Sequence, residues 1–288
     1  MLDLTRRALL GVSSALMLAP VAARAAEFMA TKDHVPLWPG KVPGDIGSDI
    51  KRRIDPRAGD DAHPDRWIYG VARPELVVFR PQQPNGSAVL CIPGGSYEFV
   101  AFDNEGAEQA RWLTARGVTV FVLLYRLPAE GWARREDVPL QDAQRAMRVI
   151  RRDAAKYGID PKRVAALGFS AGGHLCGDLA TRFDAKVYDP VDAADRLSAR
   201  PAIAAPIYAV QSMSAPLTHG VSHDQLLGPN PSPETERAHS PSHNVSAATP
   251  PCFLAHAEDD GLVPVENTVQ ISVLIVTSRK LELFSTTA

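Results

Sequence analysis

The pentapeptide Gly168-Phe169-Ser170-Ala171-Gly172 is the feature that most restricts what this sequence can fold into. An apolar run at residues 164–167 precedes it and predicts a strand, and helix-forming residues follow it. A Gly-x-Ser-x-Gly segment between a strand and a helix forms a sharp turn that exposes the serine hydroxyl. Small residues are needed at 168 and 172 because a Cβ there would collide with the neighbouring strand or helix. The segment predicts a serine hydrolase with Ser170 as nucleophile, and the alternative is a turn serine without function.

Strand-like and helix-like segments alternate from residue 76 onward. Apolar runs predict strands at residues 76–80, 88–92, 118–125, 163–169, 202–210 and 252–257. Helical spacing of apolar residues predicts helices that end at Gly117 and Gly158, and a third helix follows Ser170. Repeated strand–helix units predict an α/β fold with a mostly parallel central sheet and helices on both faces.

Two adjacent glycines follow the strand predicted at residues 88–92, in the segment Pro93-Gly94-Gly95-Ser96-Tyr97. Glycines let the backbone approach a ligand closely and direct its amides inward. Acyl transfer needs hydrogen-bond donors where negative charge develops on the carbonyl oxygen. The candidate donors of this oxyanion hole are the amides of Gly95, Ser96 and Ala171, and the alternative is an ordinary glycine loop.

Acidic residues follow the strand predicted at residues 252–257, in His256-Ala257-Glu258-Asp259-Asp260. A carboxylate at this place would orient a histidine base and stabilise it when charged, in the chain order serine, acid, histidine. Asp260 is favoured over Asp259 as this acid. The alternative is that both belong to a surface turn.

The base is missing from its expected place, because no histidine follows His256 in the 288 residues. A β-branched apolar run at residues 271–276 stands where an amphipathic helix is expected, so we expect a truncated or frameshifted end with its last strand and helix missing or altered. Pairing through this run, or low solubility, would follow. His174 and His256 are expected to be structural. The candidates for a displaced base lie in a lid-like segment: His219, His223, His239 and His243.

Without a base, a serine hydroxyl is a weak nucleophile. The alternative function is therefore a catalytically impaired or dead hydrolase-like protein. A peptidase of the same fold is less favoured.

The first 25 residues have the pattern of an export signal. Arg6 and Arg7 precede a short apolar stretch, and Ala23-Arg24-Ala25 fits a small-x-small cleavage site. The adjacent arginines suggest twin-arginine export. The stretch is too short to span a membrane well. We expect a periplasmic or secreted protein with no stable membrane anchor after processing.

Three further regions are expected in the chain. Residues 26–75 are polar and proline-rich and predict an N-terminal arm. Residues 76–288 form the α/β domain. Within it, residues 211–250 are rich in Ser, Pro and His and predict a lid-like excursion near the site.

Composition narrows the range of ligands. A net charge of −2 and a pI of about 6.4 give no sign of nucleic-acid binding. The histidines and cysteines lack the spacing of zinc or redox motifs, so neither a metal nor an organic cofactor is implied. Burial as small apolar residues is favoured over one disulfide for Cys91, Cys176 and Cys252.

The motifs together resemble the α/β-hydrolase superfamily, and they are most similar to exported bacterial acetyl-xylan-esterase-like and BD-FAE-type carbohydrate esterases. The shared segments span residues 37–270: Leu37-Trp38-Pro39-Gly40, residues 93–97, Glu105-Gly106, residues 125–128, residues 139–146, residues 168–175 and residues 256–260. The resemblance implies an α/β-hydrolase fold with Ser170 as nucleophile and Asp260 as acid. It also implies oxyanion amides from the Gly94-Gly95-Ser96 turn and from Ala171.

The substrates implied are short acyl esters, acetyl in particular, of small or polymeric carbohydrates, cleaved through an acyl-enzyme. Two departures from the family pattern stand out. Ser96 replaces a usual third glycine, and the terminal Gly-His loop is missing. Asp142 is expected to cap or pack rather than to take part in chemistry.

Overall fold

A computed structural model describes residues 33–57 and 63–279, so the signal expected at residues 1–25 lies outside it. Nine strands are described: β1 (His34–Pro36), β2 (Arg53–Pro56), β3 (Arg66–Tyr69), β4 (Glu75–Phe79), β5 (Ala88–Ile92), β6 (Val100–Ala101), β7 (Thr119–Leu124), β8 (Val164–Phe169) and β9 (Ala204–Ile207). Six α-helices are described: α1 (Glu108–Thr114), α2 (Val138–Arg152), α3 (Ser170–Thr181), α4 (Gly220–Leu227), α5 (Pro233–Ala238) and α6 (Glu266–Arg279).

The central sheet has six strands in the order β1-β4-β7-β5-β8-β9. Strands β7, β5, β8 and β9 are parallel, whereas β4 is antiparallel to both β1 and β7. Single parallel bridges to β9 at Cys252 and Ala255 continue the sheet where a longer strand was predicted. The predicted α/β fold with a mostly parallel sheet is confirmed. Parallel strands end at the same edge, so β5, β8 and β9 bring their following loops together there.

Burial explains why the middle strands read as continuous apolar runs. All six residues of β7 are buried, as expected of a strand covered by helices on both faces.

Strands β2, β3 and β6 form a separate small antiparallel sheet. The segment predicted as an N-terminal arm therefore supplies one strand to the central sheet and two to the small one.

The β-branched run at residues 271–276 is helical, so the expectation that it takes the place of an amphipathic helix is wrong. It lies within α6, where Ile271 and Ile275 are buried and Val273 is exposed. Residues four apart share one helix face, so packing of this pair outweighs the strand preference of β-branched residues. Among the described residues, no helix is both long and apolar enough to cross a membrane.

Other differences are local. The helix predicted over residues 104–116 begins as a π-helical turn, Asp103–Ala107, before α1. The lid-like segment contains α4 and α5. The thiols of Cys91 and Cys176 are free and buried, and the Cys252 thiol donates to the Pro250 carbonyl, so the disulfide alternative is wrong.

A buried ion pair ties the N-terminal segment to the domain. Arg126 and Asp142 are both fully buried, and Asp142 Oδ1 lies 2.8 Å from Arg126 Nη2. The same carboxylate accepts from the Arg126 amide at 2.9 Å and from Trp38 Nε1 at 2.8 Å. Asp142 lies inside α2 and acts in packing, not as a helix cap.

Candidate active site

The strand-to-helix turn at Ser170 has the geometry that its glycines predict. Strand β8 ends at Phe169 with φ −124°, and Ser170 then begins α3 with φ +51°. Left-handed φ is costly for a non-glycine residue and occurs at functional sites where the surroundings enforce it. A Cβ at Gly168 would lie 2.1 Å from the Gly172 carbonyl oxygen, so this crossing of strand and helix requires glycine. Ser170 itself is half-buried.

The turn after β5 is a second strained segment. Gly95, Ser96 and Tyr97 have φ of +121°, +55° and +63° in succession. The carbonyl oxygen of Gly95 accepts from the Glu98 amide at 2.9 Å. Within the described part of the chain, no backbone hydrogen bond engages the amides of Gly95 and Ser96. Both residues are half-buried.

This turn contacts the serine turn directly. A Cβ placed on Gly94 would lie 2.6 Å from the Phe169 carbonyl oxygen and 3.1 Å from Ser170 Cβ. The Ala171 amide is at the first turn of α3, where backbone N–H groups have no partner within the helix. The structure thus places the turn that contains Gly95 and Ser96 against the turn that contains Ser170 and Ala171, with Gly94 at the contact.

Tyr97 is anchored under the turn by His174 of α3. Tyr97 Oη and His174 Nδ1 are 2.6 Å apart, and His174 Nε2 lies 2.8 Å from the His239 carbonyl oxygen. A carbonyl only accepts, so Nε2 carries the proton and Nδ1 accepts from the tyrosine hydroxyl. Burial lowers the pKa of His174 to about 4, which keeps the ring neutral. Both ring nitrogens of His174 are therefore engaged in holding Tyr97 and the His239 carbonyl.

Glu105 lies beneath the turn, and sequence reasoning gave it no role. Its Oε2 accepts from the Gly94 amide at 2.5 Å, and its Oε1 accepts from the Tyr208 hydroxyl at 3.0 Å. Burial raises the pKa of Glu105, although these two donors oppose the shift. The signal that could have indicated a role was Glu105-Gly106 within the family-like motifs.

The predicted acid, Asp260, follows the 252–255 segment beside β9. Its Oδ1 accepts from the amides of Leu262 at 2.9 Å and Val263 at 3.0 Å. Its Oδ2 lies 3.3 Å from His256 Nε2. Burial raises the pKa of Asp260, but the two amides and His256 outweigh it, so the net shift is downward. Asp260 is thus a stable carboxylate at neutral pH.

The histidines differ in how their ring nitrogens are engaged. His256 bonds to Thr268 Oγ1 through Nδ1 and lies 2.9 Å from the Val263 carbonyl through Nε2. His223 is held between the carboxylates of Asp224 and Glu236, and the buried His239 ring is 3.1 Å from an Arg182 guanidinium nitrogen. None of these bonds reaches Ser170 Oγ within residues 33–57 and 63–279.

His219 stands apart from the other lid histidines. It precedes α4, and its Nδ1 lies 2.9 Å from Ser222 Oγ. Burial lowers the pKa of His219, whereas the negative charges of Asp260 and Glu98 act to raise it, and the net shift is downward. Helix α4 is tied to the turn after β5 by Gln225 Nε2 and Glu98 Oε1 at 3.4 Å.

No group of three or more His, Cys, Asp or Glu residues in the described ranges could hold a metal ion. The chemistry that Ser170 and the turn after β5 can offer is nucleophilic attack by the serine hydroxyl, with backbone donors for a developing oxyanion.

The chain matches the family model named BD-FAE over residues 76–274. It is 39% identical over 228 residues to endo-1,4-beta-xylanase B from Butyrivibrio fibrisolvens, covering 79% of this chain and 35% of that protein. It is 32% identical over 194 residues to an acetylxylan esterase from Xylanibacter ruminicola, covering 66% of this chain and 37% of that protein. The chain thus spans little more than a third of these curated relatives.

Solved structures give the same grouping. An acetyl ester-xyloside bifunctional hydrolase from Caldicellulosiruptor lactoaceticus superposes with a TM-score of 0.66 at 33% identity, covering 86% of this chain and 82% of that one. Esterase 2 from Thermogutta terrifontis, in its apo form, has a TM-score of 0.58 at 22% identity, covering 84% of this chain and 82% of that one. The predicted α/β-hydrolase fold is confirmed.

Proposed function

Because the chain belongs to the BD-FAE family of α/β-hydrolases, we propose that it hydrolyses short acyl esters with Ser170 as nucleophile. The observation that carries this proposal is the direct contact between two strained backbone segments, the turn at Ser170 and the turn after β5. Strain of this kind persists where the surroundings enforce it, and an oxyanion hole beside a nucleophile is a function that requires it.

The reaction proceeds in two halves. Ser170 Oγ attacks the ester carbonyl and forms a bond to the carbonyl carbon. The carbonyl oxygen becomes an oxyanion that the amides of Gly95, Ser96 and Ala171 bind. Collapse of the tetrahedral intermediate expels the alcohol, which leaves with the proton taken from Ser170. Water then attacks the acyl-enzyme and releases the carboxylic acid.

The base that fits best among the described residues is His219. Its Nδ1 accepts from the Ser222 amide at 3.4 Å, and within the described residues no hydrogen bond engages Nε2. To act as the base, the ring must take the tautomer that has its lone pair on Nε2, and the Ser222 amide then loses this acceptor. The lowered pKa keeps the ring neutral at pH 7, as a base must be. Asp260 would then stabilise the imidazolium that forms.

The substrate class proposed is acetyl esters of carbohydrates. The support is the similarity to an acetylxylan esterase and to an acetyl ester-xyloside bifunctional hydrolase. We also propose that the chain is exported and processed near residue 25, on the pattern of its first residues. Finding the protein with its N-terminus uncleaved in the cytoplasm of the native host would refute export by this signal.

The experiment compares turnover of 4-nitrophenyl acetate and of an acetylated xylo-oligosaccharide by the parent protein and Ser170→Ala. We expect the variant to lose turnover by about a thousandfold or more. Ser198→Ala, at an exposed serine, is the matched control and should keep the parent rate. Cleavage of the aryl ester without release of sugar acetate would support the esterase and reject the carbohydrate substrate.

The second candidate is an impaired hydrolase-like protein. The observation in its favour is that no histidine nitrogen in residues 33–57 and 63–279 is bonded to Ser170 Oγ. Turnover by the parent protein that equals that of Ser170→Ala would establish this candidate. If the parent is active, His219→Ala should lose activity and His223→Ala should not.

A further inference from the structure

The peptide group between Pro93 and Gly94 is held at both of its ends. Its carbonyl oxygen accepts from the Tyr125 hydroxyl at 2.9 Å, and its N–H donates to Glu105 Oε2 at 2.5 Å. The next peptide group carries the Gly95 amide, and its carbonyl oxygen, that of Gly94, accepts from the Ala101 amide at 3.0 Å. Together these three hydrogen bonds restrict the direction in which the Gly95 amide points. Two side chains, those of Tyr125 and Glu105, therefore hold the peptide group at the start of the turn that would bind the oxyanion.

We propose that Glu105 is a positioning residue of the esterase site, which holds the turn after β5 in the conformation that directs the Gly95 and Ser96 amides at the reacting carbonyl. This inference rests on the proposed ester hydrolysis. Glu105 contacts the backbone of the turn, not the reacting atoms, and acts through it.

The environment of Glu105 supports a role beyond packing. Its carboxylate is partly buried, and within the described residues none of its contacts is with a cation; the donors to it are the Gly94 amide and the Tyr208 hydroxyl. A desolvated carboxylate without a positive partner is expensive, and an N–H to carboxylate bond of 2.5 Å is short for its type.

The place of this carboxylate links it to the nucleophile. A Cβ on Gly94 would lie 2.8 Å from Glu105 Oε2 and 3.1 Å from Ser170 Cβ, so Glu105 and Ser170 both lie against Gly94 of the turn. Residues 103–107 form a π-helical turn, a rare conformation that is often found at functional sites. Tyr208, which follows β9 with φ +36°, holds the other carboxylate oxygen.

The test compares Glu105→Ala and Glu105→Gln with Glu108→Ala. Glu108 is the next acidic residue, and its carboxylate pairs with Arg111 at the surface, so its loss controls for removal of an acid from this region. Two quantities are measured for each variant: kcat and KM on an acetate ester, and the hydrogen-exchange rates of the amides at residues 94–98.

For Glu105→Ala we expect kcat to fall about a hundredfold with KM changed less than about threefold, since only stabilisation of the transition state is lost. Exchange of the Gly94 and Glu98 amides should accelerate about tenfold or more, because the Gly94 amide loses its acceptor and the Glu98 amide bonds to the Gly95 carbonyl of the same turn. Glu105→Gln keeps an acceptor oxygen, so it should recover most of the parent kcat and most of the parent protection from exchange. Glu108→Ala should match the parent protein.

The inference is overturned if Glu105→Ala keeps the kcat and exchange rates of Glu108→Ala, or if its kcat falls only in proportion to the fraction folded. If Glu105→Ala does not fold, Tyr208→Phe decides, because it removes the hydrogen bond to the other Glu105 oxygen. It should lower kcat while unfolding at the parent temperature, and an unchanged kcat would overturn the inference. A Ser170→Ala variant as active as the parent would refute the esterase proposal alone, because the exchange rates still report on Glu105.

Discussion

The anchor between His174 and Tyr97 predicts a specific loss of stability in acid. The native state keeps His174 neutral down to a pKa of about 4, because burial opposes its charged form. In the unfolded chain the ring has the ordinary pKa of about 6.5. Between these values the unfolded state binds a proton that the native state does not.

The sign and size of the effect follow by linkage. This contribution is fully present above pH 6.5 and is lost as the pH falls from 6.5 to about 4. The pKa difference corresponds to about 3 kcal/mol of unfolding free energy, at about 1.4 kcal/mol for each pKa unit. Protonation of Nδ1 also removes the acceptor for the Tyr97 hydroxyl, so the turn after β5 should loosen over the same range.

The assay is urea unfolding at a series of pH values for the parent protein and His174→Gln. The difference between the two pH profiles isolates His174 from the other groups that titrate. We expect the parent to lose about 3 kcal/mol more than the variant between pH 7 and pH 4. His34→Gln, on the surface, is the control and should follow the parent. Parallel profiles for the parent and His174→Gln would refute the reasoning.

Two further substitutions test the frame of the site. Asp142→Ala leaves the fully buried Arg126 without its carboxylate and should cost about 3–5 kcal/mol in urea unfolding, whereas Asp55→Ala breaks an exposed pair and should cost under about 1 kcal/mol. Equal losses would contradict the structural role of Asp142. Gly172→Ala puts a Cβ 2.2 Å from a backbone carbonyl oxygen of β5, so both melting temperature and ester turnover should fall, while Gly261→Ala meets no atom within 4 Å and should change neither. An unchanged Gly172→Ala protein would refute the close crossing of strand and helix.

The central strands and the serine turn could be predicted because their signals are local. The turn at Ser170 is dictated by glycines that neighbour it in the chain, and a buried parallel strand shows itself as a continuous apolar run. Glu105 could not be assigned from sequence, since its partners Gly94 and Tyr208 come from separate segments that only the folded chain brings together.

Helix α6 is an element that the local sequence does not predict. Its β-branched residues favour a strand by propensity, and only the burial of Ile271 and Ile275 on one face reveals why the helix forms. The place of His219 was likewise hidden. It depends on how α4 packs against the turn after β5, through Gln225 and Glu98, and nothing in the sequence around residue 219 encodes that contact.

The most direct measurement of the central claim is the site of covalent labelling by an alkyl fluorophosphonate, which loses fluoride as the serine oxygen bonds to phosphorus, determined by peptide mass spectrometry after complete loss of ester turnover. The account predicts one adduct per chain, on the peptide that contains residues 168–172, with the modification on Ser170. An adduct elsewhere that abolishes turnover, with Ser170 unmodified, would contradict it.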